Sequence, residues 1–219
     1  MTGNLYNFGT DGDSCSDFNN DIDTSNLVDG KTIYYLVGAS GTIINSSSNA
    51  GTVYCINCYS IKVKDLTLTK NFVGIGFYNT SNSSIENNNI SKNLLSIALD
   101  KSCDNTIVGN NASNSEFGII LLNSTSNDIY LNNFINNTDN VYSENSTNFW
   151  NSTSKITYTY NEKTYTNYTR NYWGDYTGTD TNNNGIGDTP YSINSDNDNY
   201  TLMEPWQNYF PEENEAKEN

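Results

Sequence analysis

Three consecutive blocks of equal length align without a gap, and this internal repeat constrains the fold more than any other feature of the chain. The blocks begin at Phe72, Leu94 and Glu116, and a weaker block begins at Ala50. Each block carries four apolar columns, two of which lie two residues apart, as in a strand with one buried face. The columns are Val53, Ile75, Ile97 and Ile119; Cys55, Phe77, Leu99 and Leu121; Val63, Ile85, Ile107 and Ile129; and Leu68, Ile90, Ala112 and Phe134. The repeat therefore predicts short strands that recur once per block.

A single block is too small to fold alone. Its four apolar side chains stabilise by about 1.5 to 3 kcal/mol each when buried, whereas ordering the backbone costs about 1 to 2 kcal/mol per residue. Neighbouring blocks must therefore stack and share a core. Leucine-rich repeats would need an amphipathic helix in each block, and the Asn-rich segments lack that period. We predict an all-β fold, a right-handed parallel β-helix (solenoid) with roughly five or six rungs of about 22 residues and a C-terminal cap.

Polar columns lie between the apolar ones. Asparagine tolerates left-handed turns, and its amide can hydrogen-bond to a copy one rung away, at about 4.8 Å. We therefore predict asparagine ladders at the bends between strands. The columns are Asn88, Asn110 and Asn132; Asn89, Asn111 and Asn133; and Asn71, Asn93, Ser115 and Asn137.

The repeat also divides the chain. We expect an N-terminal cap at 1–30, rungs at 31–140, a C-terminal cap with a hairpin and a calcium loop at 141–211, and an acidic tail or linker at 212–219. Ile33 lies one repeat length before Cys55, which predicts an earlier, irregular rung whose register the spacing leaves open.

Aromatic residues concentrate near the end of the chain. Tyr and Thr alternate in residues 156–168 around Asn161 and Glu162, which predicts a β-hairpin. We expect about half of the aromatic side chains to plug the open end of the core and the others to face solvent. The residues are Tyr158, Tyr160, Tyr165, Tyr168, Tyr172, Trp173 and Tyr176.

Charge and composition exclude several classes of partner. The net charge is −15 with ten basic residues, which opposes binding to nucleic acid. No apolar run is long enough to insert into a membrane, and the first residues do not resemble a signal peptide. We expect an excised part of a longer exported protein, extracellular or on the cell surface. Cys15, Cys55, Cys58 and Cys103 match no zinc framework, and the chain has no histidine.

The strongest candidate metal site is a loop near the C-terminus. Oxygen ligands at alternate positions and a glycine at the sixth are what Ca²⁺ needs from a short loop. The twelfth position of the loop, counted from Asp180, is Tyr191, whereas an EF-hand has a bidentate Glu there. A bidentate ligand would therefore come from elsewhere, with Asp175, Asp196 or Asp198 as candidates. The alternative is an ordinary Asn/Gly-rich turn. The predicted ligands are the side chains of Asp180, Asn182, Asn184 and Asp188 and the carbonyl of Ile186.

Other metal and catalytic sites are not indicated. Copper favours His, Met or Cys, but Met1 and Met203 are far apart and Cys55 occupies a core column, so we expect neither copper nor zinc. No rung column holds two acids, and the one arginine, Arg170, lies outside the rungs with an expected role in an ion pair. We assign no catalytic and no cofactor-binding residue, although acids from different columns could still converge.

The chain resembles archaeal surface proteins, abundant in methanogens, that carry the NosD-like right-handed β-helix domain. The resemblance rests on the rung sequence SNSSIENNNIS, on LNNFINNTDNVY after Tyr130 and on NYWGDYTGTDTNNNGIGDTPYSI from Asn171. The segment DGKTIYYLV, from Asp29 to Val37, resembles the segment with which the family's domain begins. It implies a pectin-lyase-like superhelix on the cell envelope, often repeated within large proteins. It implies no activity, since a shared fold is a weak argument for function.

Three functions follow as hypotheses. The first is a non-catalytic structural, adhesive or carbohydrate-binding envelope module, stabilised by calcium, whose partners are envelope polysaccharide or neighbouring surface proteins. The second is a polysaccharide lyase, hydrolase or epimerase, which would need converging acids in a groove. The third is a maturation factor like NosD.

Overall fold

The computed structural model describes residues 1–10, 12, 17–194 and 196–211. In those residues it contains 22 β-strands, two short 3-10 helices and no α-helix. The largest sheet, which we call the first sheet, has six parallel strands stacked along one axis. Strand β1 (Leu27–Val28) pairs antiparallel at its edge. These six are β2 (Lys31–Val37), β4 (Ala50–Ile56), β7 (Val73–Tyr78), β10 (Leu95–Asp100), β13 (Phe117–Leu122) and β16 (Asp139–Glu144).

Two further parallel sheets complete each coil. The second sheet contains β3 (Ile43–Ile44), β5 (Lys62–Lys64), β8 (Ser84–Glu86), β11 (Thr106–Val108), β14 (Thr125–Tyr130) and β17 (Thr147–Phe149). The third sheet contains β6 (Thr67–Thr69), β9 (Asn89–Ser91), β12 (Asn111–Ser113), β15 (Asn133–Ile135) and β20 (Tyr172–Trp173). Two antiparallel hairpins follow the coils: β18 (Ile156–Tyr160) with β19 (Lys163–Asn167), and β21 (Tyr191–Ile193) with β22 (Asp196–Asp198). The 3-10 helices are Ser46–Ser48 and Trp206–Tyr209.

The predicted parallel β-helix and the register of its repeat are confirmed. Ile97 pairs with Ile75 on one side and with Ile119 on the other, and the same step relates the strands of the second and third sheets. All four predicted apolar columns point inward, and every member is at most 1% exposed. Stacking these columns produces one continuous core.

Each complete coil bends at four positions with positive φ, and these positions recur with the same period as the apolar columns. Short polar residues and glycine adopt this conformation at low cost, whereas Leu131, with φ 53°, is an exception. The repeat therefore encodes the bends as well as the strands. The positions are Asn57, Asn79, Lys101, Asn123 and Asn145; Ser60, Asn82, Asp104 and Ser126; Asp65, Asn87, Gly109 and Leu131; and Lys70, Lys92, Asn114 and Asn136.

The first coil departs from the register of the later coils. Cys55 pairs with Leu36, not with Ile33, so this coil is shorter than the next one, in which Cys55 pairs with Phe77. The pairing shifts between Thr32 and Ile33, and a 3-10 turn at Ser46–Ser48 stands where later coils have a third-sheet strand. The sequence predicts the irregular rung but leaves its register open, because a bulge and a shortened turn leave no trace in the spacing of apolar residues.

The stacking also continues past residue 140, the expected end of the rungs, where the sequence repeat fades. Strand β16 pairs with β13, β17 pairs with β14, and β20 pairs with β15. The predicted hairpin is inserted between β17 and β20, with its turn at Asn161 and Glu162. Backbone pairing needs no repeated sequence, so one more coil forms around this insertion.

The N-terminal segment covers part of the outward face of the first sheet. Phe18 stacks on Tyr78 with ring centroids 4.1 Å apart, and Tyr54 and Tyr35 continue the row at 6.1 and 5.4 Å. Gly76 leaves space for the Tyr78 ring, which would lie 2.6 Å from a Cβ at that position. This aromatic row buries the outward face of the first coils.

Candidate functional site

The loop of the predicted calcium site folds around its own backbone. The Asp180 carboxylate accepts hydrogen bonds from the N–H groups of Asn184 (3.1 Å) and Gly185 (2.7 Å). Asn182 Oδ1 also accepts from the Asn184 N–H at 3.1 Å, and Asn184 Oδ1 accepts from the N–H of Ile186 at 2.9 Å. The five predicted ligands thus belong to one compact turn, and the side-chain oxygens of Asp180, Asn182 and Asn184 accept hydrogen bonds from its backbone.

Asp188 closes the same loop from its far end. Its carboxylate accepts a hydrogen bond from the Thr181 N–H at 2.8 Å, and this bond lowers the pKa of Asp188. Asp180 and Asp188 therefore flank one turn as carboxylates. Within the described residues, no group of three or more His, Cys, Asp or Glu side chains is close enough to hold a metal ion. Any cation here would depend on amide and carbonyl oxygens for most of its ligands.

Tyrosine hydroxyls fix the outer side of the loop. Tyr165 donates to the carbonyl of Asn183 and Tyr158 to that of Asn184, both at 2.9 Å. Tyr209 donates to the carbonyl of Gly185 at 2.5 Å. The hairpin β18–β19 and the Trp206–Tyr209 turn thus hold the loop from two sides, in a cluster with Ile186 and Leu202. The expected division of the aromatic residues is partly visible here, since Tyr158 is 2% exposed and Tyr165 remains partly exposed.

The three acids considered as a further calcium ligand are engaged elsewhere. Asp175 accepts from the Asn140 side chain at 2.7 Å and from the Tyr191 hydroxyl at 3.1 Å. Asp196 and Asp198 lie on β22 at the end of the coils, where they accept backbone and indole N–H groups. The loop therefore draws no bidentate carboxylate from these positions.

Two of the three predicted ladders are present and run through the coils, one containing Asn88, Asn110 and Asn132 and the other Asn71, Asn93, Ser115 and Asn137, whereas the column of Asn89, Asn111 and Asn133 has a single exposed contact, from Asn111 to Asn89 at 3.3 Å. Asn110 Oδ1 accepts from both the N–H and the side-chain amide of Asn88, and Asn132 Oδ1 accepts in the same way from Asn110, at 2.9 to 3.0 Å. Each amide also donates to a carbonyl of the preceding coil, as Asn110 does to Ile85 at 2.8 Å. Each ladder therefore satisfies polar groups buried at a bend.

Sequence reasoning missed two further ladders at the bend between the first and second sheets. One contains Ser83, Asn105, Asn127 and Asn148, and the other contains Thr80, Ser102, Ser124 and Ser146. Most of these residues recur with the period of the repeat. Extending the column comparison to serine and threonine would have found them.

Two of the ladders, the one that contains Asn132 and the one that contains Asn127, end on acids of strand β22. Asn171 donates its N–H to Asp198 Oδ2 at 3.2 Å, and Asn148 donates its N–H to Asp196 Oδ2 at 3.1 Å. In each case the indole two residues later donates to the same oxygen, from Trp173 at 2.9 Å and from Trp150 at 3.3 Å. Two Asn-x-Trp segments are thus closed by one Asp-Asn-Asp strand.

Asp198 is fully buried in this arrangement. Its other oxygen accepts the Tyr200 N–H at 3.2 Å and lies 3.7 Å from Arg170 Nε, whose guanidinium stacks over the Tyr200 ring at 4.5 Å. Burial raises the pKa of Asp198 to about 6, against the lowering effects of Trp173, Arg170 and the backbone N–H groups. Arg170 therefore forms the expected ion pair, inside the cap.

Acids from different columns do share a surface, on the outward side of the second sheet. Glu86 and Asp128 lie two coils apart, and Tyr130 occupies the Glu86 column. Hydrogen bonds from Lys62 and Ser84 lower the pKa of Glu86 despite burial, which by itself raises it, whereas burial raises the pKa of Asp128. The Lys62 ammonium lies 2.9 Å from Glu86, so this carboxylate is already engaged in an ion pair.

The family model described as "Periplasmic copper-binding protein (NosD)" matches residues 10–178. The chain belongs to the NosD family. The matched region contains the coils and ends two residues before Asp180, so it does not extend to the calcium loop. Comparison with curated proteins and with solved structures gave no match. The periplasmic description agrees with an envelope location.

The copper of the family description calls for His, Met or Cys ligands, of which this chain has few. The chain has no histidine, and its two methionines are Met1 and Met203. Cys55 is 0% exposed and Cys58 is 3% exposed, and the Cys58 thiol donates to the carbonyls of Leu36 and Ile56. Burial raises the pKa of the Cys55 thiol, which opposes the thiolate that a metal needs, whereas a hydrogen bond with Cys55 lowers the pKa of the Cys58 thiol to about 7. Cys15 lies outside the described residues.

In the described part of the chain, no helix has the length and apolar character needed to cross a membrane.

Proposed function

We propose that this NosD-family chain is a non-catalytic module of the cell envelope that binds polysaccharide and has a structural or adhesive role on the cell surface. The observation that carries the proposal is the solenoid itself, a rigid stack whose interior polar groups are satisfied by ladders. A rigid, elongated surface binds an extended polymer at low entropic cost. The net charge of −15 favours neutral over acidic polymers.

Binding and catalysis can be separated in one set of measurements. The purified chain is titrated with neutral, amino and acidic cell-wall polysaccharides, and each mixture is assayed for new reducing ends and for unsaturated uronates. We expect binding to at least one polysaccharide with no product from any. Absence of binding to all of them would refute the proposed function.

A second candidate is a polysaccharide hydrolase. It is favoured by two carboxyl groups on one surface, Glu86 with a lowered pKa and Asp128 with a raised pKa, as a base and an acid would need. New reducing ends that disappear in Asp128→Asn would support it over the binding module. The ion pair of Glu86 with Lys62 argues against a free catalytic base there.

Calcium stabilisation is the second part of the proposal, with Asp180, Asn182, Asn184, Ile186 and Asp188 as ligands. Calcium would replace the backbone N–H groups as the partner of side-chain oxygens that lie in one turn. Thermal unfolding is measured with calcium, with magnesium and with a chelator. At a calcium concentration about 100 times the dissociation constant, specific binding stabilises by about 2.7 kcal/mol.

The matched variants are Asp180→Ala/Asp188→Ala and Asp21→Ala/Asp139→Ala, which remove the same charge inside and outside the loop. We expect the calcium effect to disappear only in the first pair. Equal midpoints with calcium and with chelator in the unaltered chain would reduce the loop to an Asn/Gly-rich turn.

A further inference from the structure

The outward side of the second sheet forms a continuous strip along the solenoid, which we call the open face. Two columns of side chains define it, and they follow the strand register from one coil to the next. The first column contains Ile43, Lys62, Ser84, Thr106, Asp128 and Phe149, and the second contains Lys64, Glu86, Val108 and Tyr130.

All ten side chains of the open face remain partly or fully exposed. The outward side of the first sheet differs, because Tyr54, Ile56 and Tyr78 are buried under the N-terminal segment. The two sheets have the same coils and the same core. The open face is accessible because none of the described residues forms a comparable aromatic row against it.

A groove of about 430 Å³ runs beside the first column. One wall consists of the turn residues Ser60, Asn82 and Asp104, and the other of the strand residues Lys62, Ser84 and Thr106. Each coil contributes one residue to each wall, because both sets of residues recur with the period of the repeat. The groove therefore presents hydroxyl, amide, ammonium and carboxylate groups at a step of about 4.8 Å, the spacing between strands.

The charges on this face oppose a polyanionic ligand. Lys62 is paired with Glu86 at 2.9 Å and Lys64 with Asp65 at 3.1 Å, so both cations are already neutralised. Among the described residues, neither Asp104 nor Asp128 forms a salt bridge. The Asp104 carboxylate is hydrogen-bonded to the Cys103 thiol. The other oxygens of the two carboxylates can accept hydrogen bonds from hydroxyl groups, and both carboxylates would repel carboxylate or sulfate groups.

Aromatic side chains lie at the far end of the same strip. Phe149 is 58% exposed and follows Asp128 in the first column, while Tyr130 is partly exposed beside it. An exposed aromatic side chain presents a rigid apolar surface at low entropic cost. Such a surface stacks on the C–H face of a sugar ring, whereas the polar groove matches the ring hydroxyls.

We propose that the open face binds a neutral glycan strand lying parallel to the solenoid axis, with hydroxyls in the groove and one sugar ring on Phe149. This inference rests on the proposed function and locates it. An extended β-1,4-linked glycan advances by about one strand spacing per sugar, so successive sugars meet equivalent positions on successive coils. Affinity should consequently rise with chain length until the strip is filled.

The test is calorimetric titration of the full chain with β-1,4-linked glucose and N-acetylglucosamine oligosaccharides, from disaccharide to hexasaccharide, and with polygalacturonate. Thr106→Arg fills the groove, and Phe149→Ala removes the stacking surface. The matched controls are Thr67→Arg on the third sheet and Tyr142→Ala on the first sheet, both at exposed positions. We expect tighter binding to longer neutral chains, a loss of about tenfold or more in each open-face variant, and no change in the controls.

Three outcomes would overturn the inference, and they differ in what they leave standing. Neutral glycan binding that is equal in the open-face variants and the controls would leave the proposed function but move its site. Binding to polygalacturonate alone would leave polysaccharide binding but refute the neutral ligand. No binding to any polysaccharide would refute both proposals. Unfolding curves identify variants that fail to fold, and Asp128→Asn then replaces Thr106→Arg.

Discussion

The interior of each asparagine ladder and its end meet the same requirement with different chemistry. Inside the coils, Asn110 accepts two hydrogen bonds from the preceding coil through its oxygen and donates to a carbonyl of that coil through its nitrogen. At the end, Asp198 accepts the Asn171 N–H and the Trp173 indole and has no amide nitrogen to donate. The interior positions use an amide, and the last position uses a carboxylate.

This difference shows that the position in the stack decides which side chain is suitable. An interior residue faces both a donor and an acceptor, so only a side chain with both groups satisfies it. The side chain at the end of the ladder meets only donors, namely the last backbone N–H and an indole, together with a guanidinium, so an acceptor-only group fits. The carboxylate adds a charge-assisted bond, but burial opposes its ionisation.

The largest expected effect follows from removing the buried acid. Asp198→Ala leaves Arg170, the Trp173 indole and a ladder N–H without their acceptor, and breaking a buried ion pair typically costs about 3 to 5 kcal/mol. Urea unfolding provides the measurement, with Asp139→Ala as an exposed acid of the same type. Equal midpoints for these two variants would show that the ladder needs no terminal acceptor.

An interior ladder residue should have a smaller effect. Asn110→Ala removes the acceptor of the buried Asn88 N–H, and an unsatisfied buried donor costs about 1 to 3 kcal/mol. Asn89→Ala is the control, because Asn89 is an exposed asparagine of the same strand region. If both variants unfold at the same urea concentration, the ladder makes no net contribution to stability.

The pH dependence distinguishes an acid from an amide at the ladder end. The pKa of Asp198 is raised from 3.8 to about 6 in the folded chain, so the folded state binds more protons than the unfolded state between these values. The contribution of Asp198 to stability therefore falls as the pH rises from about 4 to about 6. In Asp198→Asn, whose oxygen can still accept the ladder N–H, we expect this part of the slope to disappear. A difference between the two proteins that is constant from pH 4 to 7 would contradict the raised pKa.

The smallest expected effect concerns the tyrosines that hold the calcium loop. Tyr158→Phe removes one hydroxyl bond to the Asn184 carbonyl while keeping the ring, which should cost about 1 kcal/mol. Hydrogen exchange of the loop amides provides a local readout, with the amides of β10 as an internal reference. Faster exchange in β10 as well would mean that the loop and the coils unfold together rather than separately.

Much of the coiled fold could be predicted from the sequence because the repeat itself carries it. A column such as Ile75, Ile97 and Ile119 records both the inward face and the register, and Asn88, Asn110 and Asn132 record the bend. The pairing of Leu36 with Cys55 could not be predicted, because a bulge in a single strand changes the register without changing the composition.

The candidate sites were less predictable because their partners are distant in the chain and are not repeated. Asn148 and Asp196 are 48 residues apart, and no period connects them. The loop from Asp180 to Asp188 is local, so its composition alone predicted a compact turn. The open face needed the three-dimensional register, because Asp104, Lys62 and Phe149 come from different coils.

The hairpin inserted before β20 has a consequence for how such proteins can diversify. The ladder step from Asn132 to Asn171 spans 39 residues, yet its hydrogen bonds are 3.1 and 3.0 Å long, as in the uninterrupted step before it. A bend of the solenoid can therefore accept a folded insertion while its neighbours keep their contacts. Evolution can add new surface elements at the bends of an existing array, one at a time, without redesigning its interior.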